Sequence, residues 1–533
     1  MDKILNFIKR IIPKGVLKKV LPFYHISLAS AAAFWYGYPS EKMIVIGVTG
    51  TNGKSTTTEL IARVLEKHTP NPSQEGKYKV GFTSTVKFKV GDREWLNDKK
   101  MTMVGRFQLQ KLLHQMADAG CRYAVIETSS EGVKQFRHKA INYDYLVFTN
   151  LTPEHIESHG SFEKYKEAKL KLFDHLSKSR RKVSRIHADS NADTRGNADD
   201  VDREIKKIII VNGDDKYASE FLNFKVDKKI VYGMDYGNDN YIGEFLCFRA
   251  ENIVLTKNGT SFNVVPPSFE SLSRACRGKG ARGRFSEVGI EKFTEFGKSD
   301  TKFKLNLPGL FNVYNAMPAI IIGENEGLEM QEIKDALARV KNIPGRMEFI
   351  DEGQPFTILV DYAPEPESMR KLYEAVGAMG VAHNKIIHVL GSCGGGRDKA
   401  RRPILGSIAA ENADYVIITN EDPYDDDPME IIEDVAGGAE ESLKFKVQKL
   451  ALSLPKGQKS EEVQNIFKIL DRREAIRKAL QLANEGDFVI ITGKGAEQFI
   501  CVADGKKIPW DDRDVVREEI GKLKNSPNSC LLK

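Results

Sequence analysis

A lysine that closes a glycine-rich run is the first sign of chemistry in this chain. Residues 47–56 read Gly47-Val48-Thr49-Gly50-Thr51-Asn52-Gly53-Lys54-Ser55-Thr56, after an apolar run and ahead of an amphipathic one. A loop in that position turns backbone N–H groups and a helix N-terminus toward phosphates. Its glycines let the backbone come close, Lys54 offers a point charge to the outer phosphates, and Ser55 offers a hydroxyl to magnesium. The strict GxxxxGK[ST] spacing is not met, because Val48 takes the first glycine position and Gly47 sits one residue early. The pattern predicts an ATP site contacted by Gly50 to Thr56. Farther along, Glu127 and His155 stand just beyond apolar runs, where a carboxylate and an imidazole can reach a metal; taken singly, each reads as structural. Lys169, among Lys164, Lys166 and Lys171, reads by itself as an exposed helix lysine.

The elements that must position these groups follow from periodicity. Met43–Val48, Tyr123–Glu127, Tyr145–Thr149, Ile208–Val211 and Ile230–Gly233 are expected strands, and Ser55–His68 is a helix with Leu60, Ile61, Val64 and Leu65 on one face. A second series begins near Ile343-Pro344-Gly345-Arg346. Its expected strands are Thr357–Asp361, Lys385–Leu390, Tyr415–Thr419 and Asp487–Thr492; its helices are Pro366–Val376, Arg402–Ala410 and Arg473–Asn484. Alternating strands and helices predict an α/β protein: a central nucleotide-binding domain with a doubly wound, mostly parallel sheet, and a C-terminal Rossmann-like domain. The expected division is a short helical segment over 1–40, a central domain over 41–342 and a C-terminal domain over 343–533. Polar, Gly/Ser-rich stretches at 177–204 and 266–299 read as surface insertions. The second is basic, so it is either a solvated loop or a phosphate contact.

The chain has 533 residues, 41% hydrophobic and 29% charged, and a net charge of +6 from 80 basic and 74 acidic residues. So small a difference does not mark a nucleic-acid binder. Six cysteines lie far apart with no CxxC pair, which suits a reducing, cytoplasmic setting better than a disulfide framework. Residues 1–20 mix lysines and arginine with apolar residues at helical spacing, and Ile26–Tyr36 is too short for the roughly 20 residues that span a bilayer. A helical hairpin packed on the next domain is the expectation, with peripheral membrane contact through residues 1–36 as the alternative and a signal peptide as a third.

Beyond the loop, further motifs recur in a fixed order: Ile126-Glu127-Thr-Ser129-Ser130; Thr149-Asn-Leu-Thr-Pro-Glu-His155; Tyr165-Lys-Glu-Ala-Lys169; Leu307-Pro-Gly-Leu-Phe-Asn312-Val-Tyr-Asn315; Pro344-Gly-Arg346; Asp361-Tyr-Ala; Gly395-Gly-Arg397-Asp398; and Gly493-Lys-Gly-Ala-Glu497. From about residue 43 onward, outside the two insertions, the chain resembles the Mur ligases, most of all the MurE-type tripeptide synthetases. The resemblance implies an ATP- and magnesium-dependent amide ligase of peptidoglycan precursor synthesis. It would activate a glutamate-terminated UDP-N-acetylmuramoyl peptide as an acyl phosphate and join it to an amino acid. Metal ligation would fall to Ser55, Glu127, His155 and a carbamylated Lys169. Asn312 would meet adenine, Arg346 the phosphates and Asp361 the ribose. Thr102, Ser129, Gln135 and Arg137 would contact the carrier peptide; Arg397, Glu421, Asp422, Tyr424, Gly493 and Glu497 would contact the amino acid. A nucleic-acid or obligate protein partner is not implied. The alternatives are a folylpolyglutamate- or cyanophycin-type ligase, and a catalytically weakened ATP-binding scaffold.

Four departures from the family pattern stand out. Only residues 1–40 precede the nucleotide loop region, where MurE-type enzymes carry a uridine-nucleotide domain. Two family histidines become Pro364 and Ala496, and a third becomes Glu131. The amino-acid loop, Asp-Asn-Pro-Arg in diaminopimelate-adding relatives, reads Glu421-Asp422-Pro423-Tyr424, followed by Asp425, Asp426 and Asp427. Loss of a bidentate arginine beside an acidic run predicts a substrate with a cationic end, such as lysine. The alternative is that the acidic run is a surface turn.

Overall fold

The apolar runs pair into strands because they are rich in β-branched residues and end at polar or turn residues. The computed structural model describes residues 14–66, 78–154, 156–180, 182–185, 202–235, 245–266, 302–380, 383–453 and 465–525. In the first part of the chain the strands are β1 Ile44–Thr49, β2 Lys79–Thr83, β3 Lys87–Val90, β4 Arg93–Leu96, β5 Cys121–Glu127, β6 Tyr145–Phe148, β7 Val183–Arg185, β8 Asp202–Glu204, β9 Ile208–Asn212, β10 Lys228–Gly233, β11 Leu246–Thr256, β12 Gly259–Val265 and β13 Lys302–Leu305. Helices of two turns or more are α1 Lys14–Trp35, α2 Lys54–Leu65, α3 Arg106–Asp118, α4 Phe162–Lys178, α5 Phe311–Asn325 and α6 Met330–Ala338.

One eleven-stranded sheet runs β13-β12-β11-β10-β9-β6-β1-β5-β2-β3-β4. Its centre is parallel: β1 lies between β5 and β6, with Ile46 in register with Val125 on one side and Tyr145 on the other. Strands β5, β6 and β9 are buried along nearly their whole length, as parallel strands covered on both faces must be. One face packs under α2, α5 and α6, the other under α3 and α4. Helices α2 and α5 touch so closely that a Cβ on Gly323 would sit 2.7 Å from the Val64 side chain. That contact brings the start of α5 alongside the nucleotide loop.

The second sheet runs β14-β15-β19-β16-β17-β18, with β14 Glu348–Ile350, β15 Thr357–Val360, β16 Ile386–Leu390, β17 Tyr415–Thr419, β18 Ile466–Ile469 and β19 Phe488–Ile491. Only β14 is antiparallel among its paired strands. Helices α7 Pro366–Ala378, α8 Arg401–Asn412 and α9 Pro428–Ser453 cover one face; α10 Arg472–Leu482 and α11 Asp512–Lys524 cover the other. The hairpin β20 Phe499–Cys501 and β21 Lys507–Pro509 follows β19. The α/β, doubly wound expectation holds for both sheets.

One expectation changes. The stretch 177–204 is not all insertion: α4 runs to Lys178, and β7 pairs antiparallel with β8. Lys182, beside β7, is buried and donates to Asp144 and to the Met43 carbonyl at 2.9 Å. A burial partner deep in the core, invisible locally, orders this end. At the N-terminus, α1 passes unbroken through Pro22, and Ala29, Ala32 and Ala33 are buried; the other arm expected for a hairpin precedes Pro13. The helix expected before Pro13, the interior of the first insertion and the second insertion lie outside the described residues. No helix among the described residues is long and apolar enough to cross a membrane.

Candidate functional site

Parallel sheets of this kind place ligands at the carboxyl ends of their strands, where strand order reverses. Here β1 is such a point, with β5 and β6 on its two sides, and the loop 50–53 leaves its carboxyl end. Gly53 adopts φ +82°, and a Cβ there would lie 2.2 Å from Asn315 Oδ1, so α5 presses directly on the loop. Asn150 fixes the loop from the end of β6, accepting from Thr51 N at 2.8 Å and from Asn52 N at 2.9 Å. The carboxyl ends of the second sheet face the same space, enclosing a cavity of ≈ 530 Å³. Ser368 Oγ of α7 donates to Asn52 Oδ1 at 2.9 Å, and Lys399 N to Glu157 Oε1 at 3.1 Å, across the two halves.

On the loop, Lys54 Nζ donates to the Thr51 carbonyl at 2.6 Å, curled over the position phosphates take at such a helix start. Ser55 Oγ donates to Glu127 Oε2 at 2.8 Å. The other Glu127 oxygen accepts from Thr85 Oγ1 at 2.9 Å, and the Thr85 hydroxyl oxygen in turn lies 2.8 Å from Thr102 Oγ1, which is free to donate to it. A hydroxyl and a carboxylate so placed are hard oxygen donors, which suit magnesium. Lys169 is buried on α4 and donates to the Gly50 carbonyl at 2.6 Å, with its ammonium 4.7 Å from the Tyr165 ring. Burial, and then the charge of Lys54, push its pKa well below the lysine range against the pull of Glu154 and Glu127. The surface-lysine reading of Lys169 is therefore excluded by burial. The expectation for His155 falls outside the described residues; its neighbour Glu154 lines the cavity.

The C-terminal half supplies the opposite wall. Asn312 is buried and donates to the Pro308 carbonyl at 2.7 Å, while its Oδ1 accepts from Asn315 at 3.0 Å. Arg346 stacks over the Tyr362 ring at 4.5 Å. Asp361 accepts from Met347 N at 2.7 Å and Ala363 N at 2.9 Å, and burial pushes its pKa up. Arg346, Asp361 and Asn312 all line the cavity.

The amino-acid loop differs from expectation. Asp422 and Glu497 form a quartet with two lysines: Lys494 lies 2.9 Å from Asp422 and 2.7 Å from Glu497, while Lys100 pairs with Asp422 and lies 3.2 Å from Glu497. Burial opposes a charge on Lys100, but Glu497 and Asp422 outweigh it and raise its pKa. Glu421 accepts from Cys393 Sγ at 2.8 Å, and its pKa is pushed up by burial and by Asp422. A Cβ on Gly493 would meet Glu421 at 2.5 Å, so that glycine makes room for the loop. Asp425 caps Asp504 N, Asp426 pairs with Arg402, and Asp427 caps Met429 N. The Asp425–Asp427 run is thus a surface turn, and Asp422 is already matched by two lysines.

The cavity collects Thr102, Arg397, Asp422, Tyr424 and Glu497. It does not include Ser129, Gln135 or Arg137 in its lining: Ser129 caps a short helix through Gly132 N, and Arg137 donates to Gln135 Oε1 at 2.7 Å. At the positions of the missing histidines, Pro364 lines the cavity, Ala496 is buried, and Glu131 accepts from Gln135 at 2.9 Å. Thr85, Lys100 and Lys494 escaped the sequence reading, and Asn315 was given no role there although it closes the Leu307–Asn315 motif. Only tertiary contacts mark Thr85 and Lys100, whereas Lys494 sits inside the Gly-Lys-Gly motif.

Residues 48–323 match the Mur ligase middle domain, and residues 345–495 match the Mur ligase glutamate ligase domain. The chain is 33% identical over 507 residues to a UDP-N-acetylmuramyl-tripeptide synthetase of Roseiflexus sp. (strain RS-1), an alignment covering 94% of this chain and 83% of that protein. It is 31% identical over 501 residues to a UDP-N-acetylmuramoyl-L-alanyl-D-glutamate–2,6-diaminopimelate ligase of Bacillus cereus, covering 94% and 82%. In fold it resembles the Mycobacterium tuberculosis folylpolyglutamate synthase complexed with ADP and AMPPCP, with TM-score 0.55 and 14% identity over 88% of this chain and 92% of that one. The chain belongs to the Mur ligase family.

Proposed function

We propose that this protein is a cytoplasmic ATP-dependent amide ligase of the MurE type, acting in peptidoglycan precursor synthesis. It activates the terminal glutamate carboxylate of a UDP-N-acetylmuramoyl peptide and joins it to an amino acid. The observation that carries this reading is the shared cavity. One wall is a phosphate loop with Lys54 and the Ser55–Glu127 pair; the facing wall presents Arg346, Asp361 and Arg397. The Roseiflexus and Bacillus relatives are named for this reaction class.

A carboxylate is a poor electrophile, so it must first attack the γ-phosphorus of ATP to give an acyl phosphate and ADP. That step needs positioning and charge neutralisation more than covalent help from the protein. Lys54 and Arg346 supply positive charge at the phosphates. Ser55 and Glu127, with His155 and a carbamate on Lys169, would hold magnesium, whose charge would add to theirs. An amine then attacks the acyl carbon and phosphate leaves. Closure of the two walls over the ATP would exclude water, which would otherwise hydrolyse the acyl phosphate. Asn312 and Asp361 bind adenine and ribose in this reading. Thr102, Ser129, Gln135 and Arg137 meet the carrier peptide in this reading, the last three from outside the cavity lining.

Exposed Phe23, Phe34 and Trp35 on α1 support peripheral membrane contact by residues 1–36; co-sedimentation with anionic vesicles tests it. The ligase reading is tested by incubating the protein with ATP, magnesium, candidate carboxylate carriers and a panel of amines, with products identified by mass. ADP release that requires both carrier and amine, with a new amide, is the expected result. Turnover only with a folate or polypeptide acceptor would assign a different ligase, and ATP binding without any ligation would leave a scaffold.

A further inference from the structure

The amino-acid loop lacks the arginine that would pair with a distal carboxylate, yet the space beside it is not short of cations. Lys100 enters from the central half of the molecule, on the segment between β4 and α3. Its side chain is only 7% exposed, and its backbone takes φ +52°, a conformation uncommon for a long side chain. Beside it, Lys494 is wholly buried and donates to Asp422, Glu497 and the Phe499 carbonyl. Lys494 is thus tied into its own half of the molecule. Lys100 is the member of the quartet that the other half delivers.

The quartet balances two cations against two carboxylates. A side chain ending in a lone ammonium would bring a third cation to two matched anions. A side chain ending in a zwitterion, with ammonium and carboxylate on one carbon, brings no net charge and can exchange into the existing pairs. Its carboxylate takes Lys100 and its ammonium takes Glu497, while Lys494 keeps Asp422. Arg397, on the same cavity wall, remains for the carboxylate beside the reacting amine. Tyr424 lines the cavity as well, but its hydroxyl supplies no charge.

We propose that Lys100 is the specificity-determining residue for the incoming amino acid, and that it selects a diamino acid with a zwitterionic distal end. Because Lys100 and the loop belong to different halves, the selective site is complete only when those halves are together. Discrimination is therefore coupled to closure of the cavity. Lysine is a point charge on a flexible stem, so the selection is by charge more than by bidentate geometry. The proposal rests on the ligase reading above.

The test compares kcat/KM for meso-diaminopimelate and L-lysine in the full-length protein, in Lys100→Met and in Lys100→Arg. Wild type should favour meso-diaminopimelate at least tenfold. Lys100→Met should lower that ratio at least tenfold through the KM of the amino acid, with the KM for ATP unchanged, and Lys100→Arg should keep it. An unchanged ratio in Lys100→Met, or an equal loss for both amino acids with a raised KM for ATP, overturns the proposal and leaves Lys100 a structural bridge. A wild-type preference for lysine overturns it as well. If wild type ligates no amino acid at all, the ligase reading itself fails; normal ligation with an unaltered ratio sinks only the role of Lys100.

Discussion

At the scale of single residues, Lys169 and Lys54 form a linked pair. Burial and the nearby Lys54 charge lower the Lys169 pKa, raising the neutral fraction that carbamylation requires. Replacing Lys169 by Ala should abolish ligation, and formate or acetate should partly restore it by returning an anion to the site. Bicarbonate depletion should mimic the variant in wild type. An alanine variant with full activity and no response to carboxylates would remove the carbamate from the mechanism. For Lys54, the nitrogen bonds among the described residues only to its own loop, at the Thr51 carbonyl, so Lys54→Ala should leave stability within about 0.5 kcal/mol of wild type. Removing a preorganised charge from a transition state costs on the order of 10²–10³-fold in rate. A fall of that size in kcat, with a normal melting curve, is the expected outcome.

At the scale of elements, strand β16 carries a titratable group in the middle of the second sheet. His388 is fully buried, hydrogen-bonded to Tyr373 OH at 2.7 Å and Thr492 Oγ1 at 2.9 Å, and burial then Arg472 push its pKa down to about 3. His138, under the first sheet, is pushed down to about 2 by burial and by His175. The unfolded chain takes up these protons near pH 6.5 and the folded chain only far lower. The stability they contribute is therefore complete above pH 6.5 and is lost as pH falls toward 3. Each site alone sets a slope of about 1.4 kcal/mol per pH unit within that window. Urea denaturation between pH 7.5 and 4.5 should show this loss, and His388→Gln should make the slope shallower. An identical slope in the variant would mean that His388 is already protonated in the fold.

At the scale of the whole molecule, two separately packed sheets share one ligand cavity. They are joined there by the Asn52–Ser368 and Glu157–Lys399 hydrogen bonds and the Lys100–Asp422 pair. A nucleotide held by both walls stabilises both halves together, by about 2.7 kcal/mol at a hundredfold excess over Kd. Calorimetry should show the thermal transitions of the two halves moving upward and converging when magnesium and a non-hydrolysable ATP analogue are added. Lys54→Ala should suppress the shift. Movement of one transition alone would place the nucleotide on a single half.

By itself, the sequence determined what depends on neighbours in the chain. The alternation of buried strands and amphipathic helices follows from local periodicity, and the loop at 50–56 is a run of consecutive residues with one backbone geometry. The motifs around Glu127, Asn312, Arg346 and Asp361 were likewise legible as short strings, and the structure gathers them around one space, with His155 outside the described residues. What only the tertiary structure decided is how distant charges combine. Lys169 read as one of several surface lysines because nothing in its helix reveals that its ammonium meets Gly50, 119 residues away. The acidic loop read as a receptor for a cation because Lys100, 322 residues from Asp422, cannot be placed beside it from the order of residues. Coulomb interactions act through space and depend on burial, so the charge state of a site is settled only after the chain has folded around it.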